Sequence, residues 1–228
     1  MTATRDRIGL ELADLREATR VIVERHYLHR GRTMAQVAYW VTLDSERCGV
    51  ALFALPRMSV ASPKFGSHSA MSLIELARLW LDPDVQGHRV TDSHGVTHTL
   101  PVASVAVGQA LRRIRLDWYG KYPHLPEIRA CVSWADTVRH QGTIYRATNF
   151  CEVGSSGGRT HGTRARTGGG ADQAHDDYRH VKTAFLYTWN HSLTDAEKTA
   201  ALAEWDATRP RHPAKKHAAA LRKAELST

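Results

Sequence analysis

The sequence has few cysteines, and it lacks a long apolar run. Its three cysteines, Cys48, Cys131 and Cys151, are widely spaced. This spacing argues against a disulfide framework or a zinc cluster and predicts buried thiols in a reducing compartment. No apolar stretch approaches the roughly 18 residues needed to cross a bilayer. The charged start of the chain also lacks the apolar stretch of a secretory signal peptide. We therefore expect a cytoplasmic protein.

Acidic residues are also in the minority. Of the 228 residues, 31 are Lys or Arg and 23 are Asp or Glu, which gives a net charge of +8. Residues 209–228 hold six basic residues against one acidic residue and so supply +5 of that charge. An excess of this kind is typical of proteins that bind polyanions, with nucleic acid as the first candidate. A tail that only increases solubility explains the excess equally well.

The apolar pattern predicts a single α+β (α/β) domain. Apolar residues at helical spacing predict one amphipathic helix near the N-terminus, and the strongest helical pattern lies between two strand-like runs in mid-chain. A long helix between two strands is the usual crossover between parallel strands, so we expect a mixed β-sheet flanked by helices. The predicted helices span residues 5–29, 102–118, 141–148 and 195–206, and the predicted strands span residues 34–43, 48–55, 73–81, 128–134, 150–153 and 180–189.

Two segments are expected to lie outside the sheet. Residues 154–170 are rich in glycine and arginine and predict a flexible basic loop. We therefore divide the chain into a main domain, residues 1–192, and a C-terminal helix with a basic tail, residues 193–228. Thr194 and Glu197 have the spacing of a capping box at the start of that helix.

The order of helices and strands resembles the GNAT acyltransferase fold, in which a strand, a cofactor loop and a long helix stand at the centre of the chain. Within this fold, several stretches resemble the bacteriophage Mom proteins in order and spacing. They are His26-Tyr27, ELARLWLD (75–82), SVAVGQALRRIR (104–115), SWADT (133–137) and GTIYRATNF (142–150). The resemblance covers roughly residues 20–155, and it implies that residues 1–192 form a GNAT-like catalytic domain.

The resemblance to Mom proteins implies a DNA-modifying transferase. Mom-type proteins convert adenine in double-stranded DNA to its N6-carbamoylmethyl derivative, which blocks restriction enzymes. The resemblance therefore implies double-stranded DNA as partner, an anti-restriction role, a phage or prophage origin and the bacterial cytoplasm as location. Carbamoylmethylation forms an N–CH2 bond, whereas acyl transfer from a thioester forms an N–C=O bond. The donor stays open between an acyl-CoA-like molecule and another carbamoylmethyl donor.

The sequence gives little indication of a cofactor. The GNAT fold usually has a glycine-rich pyrophosphate loop, and residues 82–101 offer only Gln86-Gly87-His88-Arg89 in its place. The 14 histidines form no H-E-x-x-H or C-x-x-C pattern. An iron or zinc ion bound by residues far apart in the sequence stays open.

Asp136 and Tyr145 are the candidate proton-transfer groups. The N6 amine of adenine is a poor nucleophile, so an enzyme must position it and take up its proton. Asp136 follows a predicted strand and is the candidate base or orienting group; an aspartate that caps the loop is the alternative. The GNAT resemblance gives Tyr145 the role of an acid toward the leaving group, or its ring stacks on the adenine. A half-buried core tyrosine is the alternative.

Ser104, Ser133 and Arg78 are further candidates. Ser104 lies near the start of the long helix, where backbone N–H groups favour an anion; a simple N-cap is the alternative. Ser133 orients Asp136, contacts substrate, or is a bystander at a strand end. Arg78 lies inside an apolar strand, and three residues of strand place it on the face opposite Glu75. We therefore expect Arg78 to bind the donor or a phosphate; an arginine that extends to the sheet edge is the alternative.

The His26-Tyr27 pair follows the first predicted helix. Here a base can stack on the aromatic ring, and the imidazole can act as a base or a metal ligand; a histidine that offsets the helix dipole is the alternative. Phosphate contacts are expected in the basic loop and the tail, because glycine gives reach and arginine gives forked hydrogen bonds. The candidate DNA-binding residues are Arg159, Arg164, Arg166, Lys215 and Lys216.

Two other functions stay open from the sequence. The chain can be a GNAT N-acyltransferase that acts on a small amine or a protein, which requires a competent pyrophosphate loop. It can also be a non-catalytic DNA-binding protein, which would bind DNA with a strong salt dependence and leave the nucleosides unaltered.

Overall fold

The computed structural model describes residues 4–32, 34–56, 72–91, 95–156 and 181–208. Within these ranges, two short 3-10 helices, Thr4–Arg7 and Pro83–Val85, accompany nine strands and four α-helices. The strands are β1 (Ile8–Leu12), β2 (Ala35–Leu43), β3 (Glu46–Ala54), β4 (Leu73–Leu81), β5 (Arg89–Thr91), β6 (Thr97–Thr99), β7 (Ala130–Asp136), β8 (Cys151–Ser156) and β9 (Lys182–Thr188). The helices are α1 (Leu15–Arg25), α2 (Val102–Lys121), α3 (Thr143–Ala147) and α4 (Asp195–Thr208). No helix in these ranges is long and apolar enough to span a membrane.

Seven strands form one mixed sheet in the order β1-β2-β3-β4-β7-β9-β8, and β5 and β6 form a separate hairpin. Within the large sheet, β4 and β7 run parallel and the other neighbours run antiparallel. The α2 crossover connects the two parallel strands, as the sequence predicts.

Helices cover both faces of this sheet. Tyr39 of β2 and Phe53 of β3 pack with α2 on one face, and Trp40 and Leu52 pack with α1 on the other. Because both faces are covered, β2 and β3 carry nearly continuous apolar runs where a half-exposed strand would alternate. The predicted fold class, a mixed sheet flanked by helices, is confirmed.

The single N-terminal helix predicted from the apolar spacing is wrong in its first half. The apolar residues Ile8 and Leu10 belong to β1, which pairs antiparallel with β2 at the sheet edge. Helix α1 begins only after Asp14, whose carboxylate accepts the N–H groups of Arg16 at 2.9 Å and Glu17 at 3.0 Å. This N-cap separates two elements that share one apolar pattern.

The other predicted helices and strands are confirmed within a few residues at each end. Asp44 and Ser45, between β2 and β3, both have positive φ, 51° and 70°, as a tight two-residue hairpin turn requires. The capping box is also confirmed: Thr194 Oγ1 accepts the Glu197 N–H at 3.2 Å, and the Glu197 carboxylate accepts the Thr194 N–H at 2.7 Å.

Residues 157–180, with most of the predicted basic loop, and the tail 209–228 lie outside the described residues. The domain boundary at residue 193 stays a prediction.

Helix α4 packs directly against α2. Gly120 of α2 lies so close to α4 that a Cβ atom there would come within 2.8 Å of the Ala201 carbonyl oxygen and 2.9 Å of the Trp205 Cβ. Gly108, on the same helix, has space beside it, since the nearest atom is 3.9 Å away on Arg112. Glycine is therefore required at position 120 for the close approach of α4, whereas position 108 has room for a side chain.

We expect Gly120→Ala and Gly108→Ala to change stability in opposite directions. At Gly120 the new methyl group overpacks the α2–α4 contact and lowers the free energy of unfolding by about 1–3 kcal/mol. At Gly108 the same change raises it by about 0.5–1 kcal/mol, because alanine is the better helix former. Urea unfolding of the two variants and the parent measures both. A stabilised Gly120→Ala variant would contradict the close packing of α4.

Candidate active site

The parallel ladder between β4 and β7 ends within the sheet, and the gap between the two strands beyond their last pair is termed the cleft. The two strands pair at three positions, from Leu73–Ala130 to Glu75–Val132, and the ladder stops there. The next residue of β7, Ser133, bridges the gap: its hydroxyl oxygen lies 2.9 Å from the Leu76 carbonyl oxygen. Side chains that follow on both strands therefore border this cleft.

Ser133 also contacts Tyr145, which α3 brings to the cleft. Its hydroxyl oxygen lies 2.9 Å from the Tyr145 hydroxyl. Ser133 has one proton, and the Leu76 carbonyl can only accept, so Ser133 donates to Leu76 and accepts from Tyr145. The sequence prediction that Ser133 orients Asp136 is wrong, because three residues of strand place the two side chains on opposite faces of β7. Ser133 orients Tyr145 instead.

The Tyr145 ring belongs to the apolar core. It stacks on Phe185 with ring centres 4.8 Å apart and meets the edge of Phe150 at 5.5 Å. Burial raises the pKa of the Tyr145 phenol, with the hydrogen bond to Ser133 acting in the opposite direction. Tyr145 is therefore a protonated phenol near neutral pH, and its hydroxyl is the end of the side chain that reaches the cleft.

Gly142 allows α3 to approach the sheet closely enough for this stacking. Its φ is +74°, and a Cβ atom there would meet the Phe185 ring. A residue with a side chain would both strain this turn and push α3 away from β9. The glycine that begins the GTIYRATNF stretch thus has a packing reason.

A bulge in β4 places Glu75 and Arg78 on one face. β3 and β4 pair out of step at Ala77, which is the extra residue of the bulge. The prediction that Glu75 and Arg78 face opposite sides is therefore wrong, and both lie on the face covered by α1. Glu75 forms a buried ion pair with Arg32, and the Arg78 Nη1 donates to the Ala77 carbonyl at 2.6 Å.

His26 is buried next to Arg78, and its protonation state is fixed by its surroundings. Its Nδ1 accepts the Leu28 N–H at 3.1 Å, so the neutral ring carries its proton on Nε2. Burial, together with the smaller effect of the Arg78 charge, lowers the pKa of His26 to about 3. The imidazole is thus a neutral hydrogen-bond donor at Nε2, which does not fit the predicted role of a base.

Tyr27 lies at the mouth of the cleft between His26 and the turn after β7. Its ring stacks on His26 with centres 4.3 Å apart. The Arg139 guanidinium carbon lies 4.5 Å from the Tyr27 ring centre, and the His140 ring lies 5.7 Å away. The Arg139 Nε is also 3.8 Å from an Asp136 carboxylate oxygen. Arg139 therefore connects Tyr27 to Asp136.

Asp136 ends β7 and is 2% exposed. Its Oδ1 accepts the Val138 N–H at 3.1 Å, and its backbone carbonyl accepts the N–H groups of Arg139 and His140. The capping role that the sequence allows for Asp136 is therefore present. Its other carboxylate oxygen is the one that approaches Arg139.

The structure thus brings six of the seven predicted catalytic and substrate-binding residues to one cleft; they are His26, Tyr27, Arg78, Ser133, Asp136 and Tyr145. Ser104 lies apart, in the first turn of α2, whose start packs on a separate cluster with Ile8 and Leu81. Pro101 is the N-cap of α2, so Ser104 is not the cap.

Three cleft residues were not predicted. Arg139 and His140 lie in a stretch that is predicted only as a polar connection, and the spacing of Arg139 three residues after Asp136 is the signal that indicates it. Arg32 pairs with Glu75, and only the fold reveals that contact. The predicted DNA-binding residues, Arg159, Arg164, Arg166, Lys215 and Lys216, lie outside the described residues.

In the described part of the segment after β4, two N–H groups that could face a pyrophosphate are already bound to carbonyls. A pyrophosphate cradle needs backbone N–H groups that point toward the phosphates. Here the Gln86 N–H donates to the Pro83 carbonyl at 3.1 Å and the His88 N–H to the Val85 carbonyl at 3.4 Å. As for a metal ion, the described residues contain no group of three His, Cys, Asp or Glu side chains placed to hold one.

The buried neutral His26 predicts a pH dependence of stability. His26 binds its proton at about pH 3 in the fold and near pH 6.5 when exposed, so acidification between these values favours the unfolded chain. His26→Asn keeps an acceptor for the Leu28 N–H but cannot be protonated. Between about pH 7 and about pH 5, we expect the free energy of unfolding of this variant to fall by about 1–2 kcal/mol less than that of the parent. Urea unfolding at both pH values measures this, and equal losses would contradict the assignment.

Several solved acetyltransferases are similar to this chain. An acetyltransferase from Salmonella typhimurium that modifies the N-terminal serine of a 50S ribosomal subunit protein matches with a TM-score of 0.42 and 13% identity, over 82% of this chain and 98% of that one. A GNAT family acetyltransferase from Elizabethkingia anophelis with acetyl-CoA bound matches with a TM-score of 0.41 and 10% identity, over 81% and 99%. A chimera of the spermidine N-acetyltransferase from Vibrio cholerae matches with a TM-score of 0.44 and 9% identity, over 86% and 99%.

No curated protein matches the sequence. The family that the sequence resembles is nevertheless confirmed, because the model of the Mom protein family matches residues 7–201, which is most of the chain. This chain therefore belongs to the Mom protein family.

Proposed function

We propose that this protein is a DNA-modifying transferase that converts adenine in double-stranded DNA to N6-carbamoylmethyladenine and so protects the DNA from restriction. Family membership supports this proposal. The observation that carries it is the cluster of His26, Tyr27, Arg78, Asp136 and Tyr145 at one cleft. The DNA partner, the phage or prophage origin and the bacterial cytoplasm are part of the same proposal, and the net charge of +8 agrees with a polyanionic partner.

The proposed reaction is a displacement at a methylene carbon. The N6 electron pair of adenine attacks the CH2 carbon of a donor X–CH2–CONH2 and forms the N6–CH2 bond. The CH2–X bond breaks, its electron pair leaves with X, and N6 gives up one proton. X is the leaving group to which the carbamoylmethyl group of the donor is attached.

Asp136 and Tyr145 suit the two ends of such a displacement. Nucleophile and leaving group stand on opposite sides of the reacting carbon. Asp136 lies on one face of β7, whereas Tyr145 binds Ser133 on the other face. A carboxylate on one side can take the proton from N6, and a phenol on the other side can protonate X. The raised pKa of Tyr145 keeps the phenol protonated for this purpose.

His26 and Arg78 suit the carboxamide of the donor. The His26 Nε2–H is a donor because Nδ1 accepts the Leu28 N–H, and Arg78 adds a cationic donor on the same face of the sheet. A carboxamide oxygen can accept two such hydrogen bonds. The neutral state of His26 avoids a second positive charge beside Arg78.

The proposal predicts a heavier adenine nucleoside. Plasmid DNA from bacterial cells that express the protein is digested, and its nucleosides are measured by mass spectrometry. We expect a deoxyadenosine heavier by C2H3NO, the increment for a carbamoylmethyl group in place of hydrogen. A gain of C2H2O would instead identify an acetyltransferase acting on DNA. Unmodified nucleosides would overturn the proposal in favour of the acyltransferase or DNA-binding alternative.

Asp136→Asn and Tyr145→Phe test the two roles within that assay. Asn keeps an oxygen for the Val138 N–H but removes the charge, and Phe keeps the stacking but removes the phenol proton. We expect each change to reduce the modified fraction by roughly 100-fold, the usual size of a general acid or base contribution, with DNA binding retained.

Two matched variants control for structural effects. Asp82→Asn changes another aspartate that directly follows a strand and caps a turn through the Asp84 N–H. Tyr187→Phe changes another tyrosine that packs against Phe150. We expect both to modify DNA as the parent does. Full modification by Asp136→Asn and Tyr145→Phe would remove these two residues from the reaction.

A further inference from the structure

Val138 presents an exposed apolar side chain directly beside the cleft. It is 69% exposed, more than any other large apolar residue in the described ranges. Single exposed apolar residues are common on protein surfaces, so exposure alone decides nothing. The position of Val138 in the chain is more informative, because Val138 lies two residues after Asp136 and one before Arg139.

The turn that carries Val138 is held rigidly by Asp136. The Asp136 carboxylate accepts the Val138 N–H, and the Asp136 carbonyl accepts the next two N–H groups. On the other side, Thr137 donates its N–H and its hydroxyl to the Val181 carbonyl, at 3.3 and 2.8 Å. The Val138 side chain thus has a fixed direction relative to the Asp136 carboxylate.

Because the cleft side chains are buried, the target adenine must leave the DNA double helix to reach them. Asp136 and Ser133 are 2% and 1% exposed, so neither can reach an N6 atom inside stacked DNA. An enzyme of this kind must extrude the base, and extrusion leaves a gap in the stack. Proteins that open base steps commonly insert an apolar side chain between them.

We propose that Val138 enters the base stack and fills the gap that the extruded adenine leaves. This inference rests on the proposed function and names duplex DNA around the target as the surface that the turn contacts. Arg139 and His140 follow Val138 in the same exposed turn, and cationic or polar groups there suit the phosphates of an opened step. Val181, whose carbonyl binds Thr137, is also exposed, at 45%.

Thymine reactivity measures extrusion without knowledge of the target sequence. Permanganate oxidises a thymine that has lost its stacking, as the partner of an extruded adenine does. We expect the parent protein to raise thymine oxidation at discrete plasmid sites, and Val138→Ala to reduce it by roughly tenfold with DNA binding retained. Val138→Leu keeps an apolar wedge and is expected to retain the signal. Val96→Ala, at a 50% exposed valine in the β5–β6 hairpin, is the matched control and should equal the parent.

A second experiment compares single-stranded with double-stranded DNA. Purified protein is incubated with double-stranded or single-stranded DNA and a small-molecule extract of the expressing cells as the source of donor. We expect Val138→Ala to modify duplex adenine roughly tenfold less than the parent and single-stranded adenine equally well, because no stack must be opened there. An equal loss on both substrates would mean a general defect and would overturn the wedge.

The two proposals fail in different ways. If the parent protein modifies neither substrate, the proposed function is wrong. If the parent modifies duplex DNA and Val138→Ala does so equally, without loss of thymine oxidation, the proposed function stands and the role of Val138 is wrong.

Discussion

The hydrogen bond from Ser133 to the Leu76 carbonyl is the interaction on which the cleft depends. The parallel ladder stops one residue earlier, and a buried carbonyl such as that of Leu76 costs about 1–3 kcal/mol when it has no partner. Ser133 supplies that partner and then has a lone pair left for the Tyr145 phenol. One hydroxyl therefore closes the sheet and orients the proposed acid. A change at this position would therefore affect stability and chemistry together.

Strand alternation explains how groups from different elements reach the cleft. An uninterrupted β7 places Ser133 and Asp136 on opposite faces, and the bulge at Ala77 brings Glu75 and Arg78 to the same face. The cleft is therefore lined from both sides of the sheet. Such an arrangement suits a reaction in which a proton is removed on one side of the reacting carbon and supplied on the other.

Sequence patterns predict the sheet and most of the cleft, but not its details. Periodicity and turn residues identify most elements because burial on both faces of the sheet leaves long apolar runs. Periodicity does not predict the break at Asp14, because the apolar residues of β1 and α1 together fit the spacing of one continuous helix. Periodicity does not predict the bulge at Ala77 either, because a bulge depends on how the neighbouring strand pairs. The contact of Arg139 with Tyr27 joins segments more than a hundred residues apart, and only the fold brings them together.

The electrostatics of the cleft assign His26 a role that its residue type does not suggest. A histidine near a proposed proton transfer is usually considered a base. Here the Leu28 N–H occupies Nδ1, while burial and the neighbouring arginine keep the ring from gaining a second proton. A ring held in this state stacks on Tyr27 and can donate a hydrogen bond from Nε2, but it is a poor base. The proton of N6 must then go elsewhere. Of the two carboxylates described at the cleft, Glu75 pairs closely with the largely buried Arg32, whereas Asp136 only approaches the exposed Arg139, at 3.8 Å, and so is the better acceptor.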